Sequence, residues 1–304
     1  MSPLFSIIIP TYNRAKLLEV AIQSVIDQTF KDWELVIIDD GSTDKTKDFL
    51  RSIKEKRVLS FFQKNKERSA ARNVGIKKAI GRYICFLDDD DCFLPSHLSV
   101  LEKKIRQEKY AVGIFRTGMI IKEGKKKFFS PFYQEGVSAN PIHFFLKNMV
   151  GIHTLCYHHE ILTSHCYDER WYHFQDTHLL ILCLLKFPLF QINQHTVVYM
   201  KYKGMGSLSI FKQKKAKART ENNINAIRDL FEKGGDKLLK FLPQNFLSFM
   251  IASKYLHHAH GALQVKKRLL AKDYFRKSII ESRGRFLLFN YVGFSLRYLS
   301  SYIK

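Results

Sequence analysis

An α/β fold, with a mostly parallel sheet flanked by helices and a helical C-terminal extension, is what this 304-residue sequence predicts. Three observations carry that prediction. The first hundred residues alternate short β-branched apolar runs with segments of helical periodicity, the pattern of β-α-β units. The strand runs are apolar throughout, as strands covered on both faces must be. Beyond about residue 210 the strand signal ends and only helical segments follow.

Taken in order, Phe5–Ile9 is the first strand, and Pro10–Asn13 turns the chain. Asn13 is placed to cap a helix in which Leu17, Leu18, Ala21, Ile22 and Val25 form a buried stripe. Glu34–Ile38 is a second strand ending in Asp39-Asp40-Gly41-Ser42, and a helical segment runs from Asp44 to about Lys56. Val58–Phe62 is a third strand, Ser69–Ile80 a helix stopped by Gly81, and Tyr83–Leu87 a fourth strand running into Asp88-Asp89-Asp90-Asp91. The pattern then changes. Pro95–Arg106 reads as a helix, Ala111–Ile121 and Lys127–Phe132 as a hairpin, Asn140–Met149 and Asp176–Leu185 as helices, and Phe190–Tyr199 as a late strand. Gly234-Gly235, Gly261 and Gly284 mark joints in the helical part. The expected division is one domain over 1–210, with halves at 1–100 and 101–210, and a basic helical region over 211–304.

Composition narrows the function classes. With 46% hydrophobic residues the chain is ample for one α/β domain and a smaller appendage. Five cysteines with no CxxC pair read as reduced thiols, mostly buried, and not as a disulfide framework or zinc site. The N-terminal apolar run stops at Pro10, short of a signal peptide. No later apolar stretch reaches the ~20 residues that span a bilayer. The expected location is the cytoplasm, or the inner face of the plasma membrane as a peripheral protein. Net charge is +22, and residues 201–304 hold 22 Lys and Arg against 6 Asp and Glu. Such a field draws polyanions. Nucleic acid is not expected, because no aromatic-interleaved sheet or recognition helix accompanies the charge.

The chemistry is expected at the strand ends, since open α/β sheets bind ligands beyond the carboxyl ends of their strands. Adjacent carboxylates repel by ~1 kcal/mol per pair in water and several-fold more when partly dry. An apolar strand delivering four aspartates to the sheet edge therefore calls for a cation, and a hard divalent ion with oxygen ligands suits it. Asp39-Asp40 at a neighbouring strand end suits hydrogen bonds from a base or ribose, and equally an Asx-type turn. Tyr12 suits stacking on a base or capping the core.

Four blocks in order resemble the bacterial family-2 glycosyltransferases of GT-A fold: Ser6-Ile7-Ile8-Ile9-Pro10-Thr11-Tyr12-Asn13-Arg14, Val36 through Asp44, Ala70-Ala71-Arg72-Asn73-Val74-Gly75, and Phe86-Leu87-Asp88-Asp89-Asp90-Asp91. The resemblance is specific over the first hundred residues and continues more weakly to about residue 200. It implies a Rossmann-like GT-A domain with a nucleotide-sugar half and an acceptor half. It implies that Pro10, Thr11, Tyr12, Asn13, Arg14, Asp40, Arg72, Asp88 and Asp89 line the nucleotide-sugar site, with Tyr12 against the base and Asp40 hydrogen-bonding it. It implies Mn²⁺ or Mg²⁺ held by Asp90 in a DXD motif. Asp88 is the favoured first residue of that motif, although Asp89-Asp90-Asp91 fits too. The general base it implies is Asp176, preceded by Gln175 where the family has Glu, with Asp168 as second choice. The activity implied is inverting, metal-dependent transfer of a sugar from a nucleotide-sugar, a UDP-sugar first, to a hydroxyl of a saccharide or lipid-linked acceptor in surface polysaccharide or glycolipid synthesis. The competing reading is a nucleotide-sugar-binding scaffold without catalysis.

His153, His158, His159, His165, His173 and His178 crowd the acceptor half and are expected to shape an acceptor pocket or to pack. His158 and His159 read as neighbours in one strand, and His257, His258 and His260 as surface residues of a helix. The basic clusters Lys212–Arg219 and Lys266-Lys267-Arg268, with the apolar segment Phe286–Leu299, suit an anionic membrane surface or packing on a partner.

Overall fold

Two compact units, Met1–Lys201 and Tyr202–Lys304, make up the computed structural model, which describes residues 2–134, 141–148, 150–201 and 216–282. In the first unit the apolar runs become strands β1 (Phe5–Thr11), β2 (Trp33–Asp39), β3 (Val58–Phe62) and β4 (Tyr83–Phe86), ordered β3-β2-β1-β4 and all parallel. Helices α1 (Ala15–Ile26), α2 (Thr46–Ser52) and α3 (Glu67–Lys78) make the crossovers. β2 is buried along its whole length, which is why its sequence shows no polar alternation. α3 lies so close to β1 that a Cβ on Gly75 would sit 2.4 Å from Ile8 Cγ2, a distance only glycine permits.

The sheet continues with β5 (Cys92–Phe93), β6 (Ile114–Glu123), β7 (Lys126–Phe129), β8 (Leu155–His158) and β9 (Leu189–Met200). Past β4 the order is β8-β6-β9-β5, with β7 paired to β6. Here directions mix: β8 is antiparallel to β4 and β6, β5 to β9, and β7 to β6, while β6 and β9 are parallel. The mostly parallel expectation thus describes the first half of the sheet. The β6–β7 link is a hairpin, too short for the crossover that parallel strands need.

Helix α4 (His97–Gln107) follows β5, and α5 (Pro141–Lys147), α6 (His159–Ser164) and α7 (Gln175–Leu184) complete the unit. Two local expectations change. Asn13 does not cap α1; it stands at φ 54°, a conformation asparagine tolerates, and its Oδ1 accepts from the Thr43 and Asp44 amides at 2.7 and 3.2 Å. His158 and His159 do not share a strand, because β8 ends at His158 and α6 begins at His159.

His97 gives the fold a pH dependence. It is fully buried, stacked on Phe93 at 3.9 Å between ring centroids, with Nδ1 2.7 Å from Thr196 Oγ1. Burial, reinforced by His153, pushes its pKa down from 6.5 to about 3. The unfolded chain therefore binds this proton at pH values where the folded chain does not. Stability from this site is complete above pH ~6.5 and declines on acidification, at a slope approaching ~1.4 kcal/mol per pH unit, until pH ~3. Urea midpoints measured between pH 7 and 5 are expected to fall less in His97→Gln than in the parent chain.

Among its described residues the second unit has three helices, α8 (Ala216–Leu239), α9 (Phe246–Gln264) and α10 (Arg268–Ser282). Gly235 interrupts α8 at φ 48° and ψ −146°, at the expected Gly-Gly joint. Gly261 makes no joint; it is buried within α9. His258 is also buried rather than on the surface, with Nδ1 2.7 Å from Thr220 Oγ1, which accepts from the Tyr274 hydroxyl at 2.9 Å. Among the described residues no helix is long and apolar enough to cross a membrane. The segment Phe286–Leu299, the joint at Gly284 and the first residues of the Lys212–Arg219 cluster lie outside the described residues.

Candidate active site at the tips of β1 and β4

The candidate residues converge because parallel β2, β1 and β4 end at one edge of the sheet, with β1 between the two acidic tips. Thr11, the last residue of β1, donates from Oγ1 to Asp89 Oδ2 at 2.7 Å. Arg14 Nη1 donates to Asp89 Oδ1 at 3.0 Å and to Asp90 Oδ2 at 2.6 Å. One guanidinium thereby offsets the middle pair of the acidic run. Burial pushes the Asp89 carboxyl up to about 6 even so, against the pull of Arg14 and Thr11.

On the β2 side, Pro10 lies opposite Ile38 in the register. The Asp40 amide donates to Thr11 O at 2.9 Å, and its buried carboxylate accepts from Gln63 Nε2 at 2.6 Å and the Lys66 amide at 2.9 Å, all through Oδ1. Asp39 forms the Asx-type turn, accepting the Ser42 amide at 2.8 Å. Tyr12 is 45% exposed at the same edge, free of the core and available for stacking.

Arg72 ties the two halves of the domain together. It projects from α3 and is completely buried, donating from Nη2 to Asp88 Oδ1 at 2.7 Å and from Nη1 to Asp176 Oδ1 at 2.8 Å. Asp176 stands in the first turn of α7, whose entry is fixed by Phe174 at φ 69°. Burial would raise both carboxyls. Arg72, with Arg68 and His153, brings Asp88 below its ordinary value, whereas Asp176 stays above its own despite Arg72. Asp168, the second-choice base, is instead engaged by Arg170 within its own turn, at 2.9 and 2.6 Å. Gln175 is buried, with Nε2 3.4 Å from Asp176 Oδ2.

The acidic run also supplies a group not foreseen from sequence. One ligand atom from each of Asp88, Asp91 and His153 lies within 4.8 Å of the others. Asp91 Oδ1 accepts the Met200 amide at 3.0 Å. Its Oδ2 lies 3.0 Å from His153 Nδ1 in a buried charge contact, and neither of these ligand-type atoms has another hydrogen-bond partner among the described residues. Two carboxylates and an imidazole whose ligand atoms lie this close together suit a divalent cation. Asp90, the metal ligand the resemblance implied, is paired with Arg14 at 2.6 Å and is not one of these three. The four-Asp run announced the place but not which members face inward. Nothing in the spacing singled out His153, which arrives from a short helical turn before β8.

A family model described as glycosyl transferase family 2 matches residues 6–163, about half of the chain. The chain is 32% identical over 176 residues to the GalNAc(5)-diNAcBac-PP-undecaprenol beta-1,3-glucosyltransferase of Campylobacter jejuni, covering 56% of this chain and 56% of that protein. Matched lengths range from 16% to 56% of the curated relatives, so the chain spans only part of them. Among solved structures, S. aureus TarS 1-349 in complex with UDP-GlcNAc superposes with a TM-score of 0.58 at 16% identity, covering 93% of this chain and 90% of that one. The mannosyltransferase PcManGT of Pyrobaculum calidifontis, in complex with GDP-Man and Mn²⁺, gives 0.58 at 14% identity, covering 98% and 88%. These structural likenesses establish the GT-A fold.

Proposed function

The chain belongs to glycosyl transferase family 2, and from that premise we propose that it transfers a sugar from a UDP-sugar to a hydroxyl of a saccharide or lipid-linked saccharide acceptor, with inversion, using Mn²⁺ or Mg²⁺. The observation that carries the reading is the Arg72 bridge, which holds a donor-side carboxylate, Asp88, and a helix-terminal carboxylate, Asp176, on one guanidinium. Asp176 takes the proton from the acceptor hydroxyl as its oxygen attacks the anomeric carbon and the bond to the nucleoside diphosphate breaks. A carboxyl raised above its ordinary value accepts that proton more readily near neutral pH. A single displacement from the face opposite the leaving group inverts the anomeric centre.

Asp88, Asp91 and His153 are the residues that would hold the ion. When bound it supplies positive charge to offset the negative charge gathering on the diphosphate. Tyr12 and Asp40 suit the base, while Pro10, Thr11, Asn13, Arg14 and Asp89 shape the wall beneath it. The TarS complex supports UDP, the PcManGT complex supports Mn²⁺, and the Campylobacter jejuni relative supports a lipid-linked acceptor. Synthesis of a surface polysaccharide or glycolipid at the cytoplasmic side of the membrane accommodates all three.

The test is a thermal-shift series with UDP-, GDP- and TDP-sugars, with and without Mn²⁺. Ligand at a hundred times its dissociation constant stabilises by ~2.7 kcal/mol, a shift of several degrees for a domain of this size. A UDP-sugar is expected to shift the transition only with metal, and the shift is expected to vanish in Asp91→Ala and His153→Ala. A shift that ignores both metal and these substitutions would refute the assignment.

A further inference from the structure

We propose that the β6–β7 hairpin seats the candidate active-site edge of the first unit on an anionic bilayer surface. β6 and β4 are each antiparallel to β8, so both run toward the same edge of the sheet. Met200, whose amide holds Asp91, is the register partner of Lys122. Lys122 is therefore level with the acidic cluster and Glu123 to Lys126 overhang that edge, while Lys127, Phe128 and Phe129 run back along β7 opposite Lys122, Ile121 and Ile120. The overhang turns at Gly124, at φ 58°.

Its composition is specific. From Lys122 to Lys127 there are four lysines and one acid, Glu123, which is already paired with Lys201 at 3.0 Å. All of β7 is exposed, including Phe128 at 48% and Phe129 at 61%. Consecutive strand residues face opposite ways, so one phenylalanine shows on each side of the hairpin. A solvated strand would keep such rings on a buried face. Lysines joined to exposed aromatic rings match the headgroup layer, where ammonium groups meet lipid phosphates and rings enter the acyl boundary. The rings favour a bilayer over a soluble anion, which would engage the lysines alone. The shared positive charge disfavours a second copy of the chain. The proposal extends the acceptor side of the preceding reading and rests on it only for its consequence, a lipid-linked acceptor delivered to Asp176.

Binding is tested without donor or turnover. Phe129→Trp in the full chain places an exposed indole on β7, opposite Ile120 and just behind the overhanging turn, while the native Trp33 and Trp171 are buried. The probe is phosphatidylcholine vesicles with or without phosphatidylglycerol, carrying brominated acyl chains as quencher. Blue-shifted, quenched emission is expected on the anionic vesicles only, diminishing as salt is raised. Adding Lys125→Gln, Lys126→Gln and Lys127→Gln to that background is expected to weaken binding about a hundred-fold, roughly five-fold for each basic residue near the surface. Three results would overturn the proposal: vesicle sedimentation with an unquenched indole, which places docking elsewhere on the chain; equal binding by the triple variant; or a spectral shift that follows protein concentration instead of lipid. Hydrolysis of a UDP-sugar by the same variants, measured without vesicles, reports separately on the catalytic reading.

Discussion

Asp176→Asn is expected to lower sugar transfer by about 10²–10⁴-fold, the usual contribution of a positioned general base, while leaving donor affinity within a few-fold of the parent. The amide keeps the size of the side chain and can still face Arg72 through its oxygen, but it cannot take a proton at neutral pH. On the proposed reading the donor binds at the tips of β1, β2 and β4, which Asp176 does not build. The two quantities should therefore separate, with kcat collapsing and the metal-dependent thermal shift by UDP-sugar persisting. The pH profile carries a second sign. Because burial raises the Asp176 carboxyl, the acid limb of kcat/KM in the parent should lie above the ordinary carboxylate range of about 4. An acid limb at or below that value, or transfer by Asp176→Asn within ten-fold of the parent, would remove Asp176 from the base role and return Asp168 to consideration.

How much of this was readable beforehand depended on range. The β-α-β alternation is local, and each parallel strand of the first half follows from an apolar run and its turn. The second half of the sheet depends on which strand pairs with which over long separations: β8 entering beside β4, and β9 beside β6, have no local signature. The site divides in the same way. Thr11, Asp40, Asp88 and Asp89 fall at strand tips that any such sheet gathers together. The resemblance implied Arg72 as a neighbour of the nucleotide, whereas its tie to Asp176 spans 104 residues and exists only once α7 docks. His153 was one histidine among many until β8 carried it against Asp91. His258 looked exposed because a polar residue on a helix ordinarily is, and the buried Thr220 and Tyr274 hydroxyls reverse that.

Replacing Arg72 is expected to have the largest effect on both stability and activity. A fully buried guanidinium with two carboxylate partners is the arrangement in which deletion costs most, because the partners remain as like charges without a counter-ion; typical losses are ~3–5 kcal/mol. Asp88 and Asp176 retain 30% and 22% side-chain exposure, so water relieves part of that cost and the lower end of the range is expected for Arg72→Met. The pH dependence identifies the cause. In the parent, Asp88 is held below its unfolded value, chiefly through Arg72 acting against burial, so its contribution is present above pH ~4 and lost as pH falls further. In Arg72→Met burial acts unopposed by that guanidinium, and the folded-state value rises above the unfolded one. The variant should then gain more stability than the parent on acidification from pH 7 to 4.5, because the Asp88 contribution changes sign and that of the already raised Asp176 grows. Arg72→Lys separates charge from geometry. A single ammonium restores positive charge and part of the stability, yet it cannot span two carboxylates as the planar fork does. Loss of that alignment moves the base relative to the donor, and a displacement of about 1 Å is enough for a hundred-fold loss in rate. Urea midpoints at pH 7 and 4.5, with kcat for both variants, decide the matter: parent-like transfer by Arg72→Lys would show that the bridge holds the fold together without aligning the reaction.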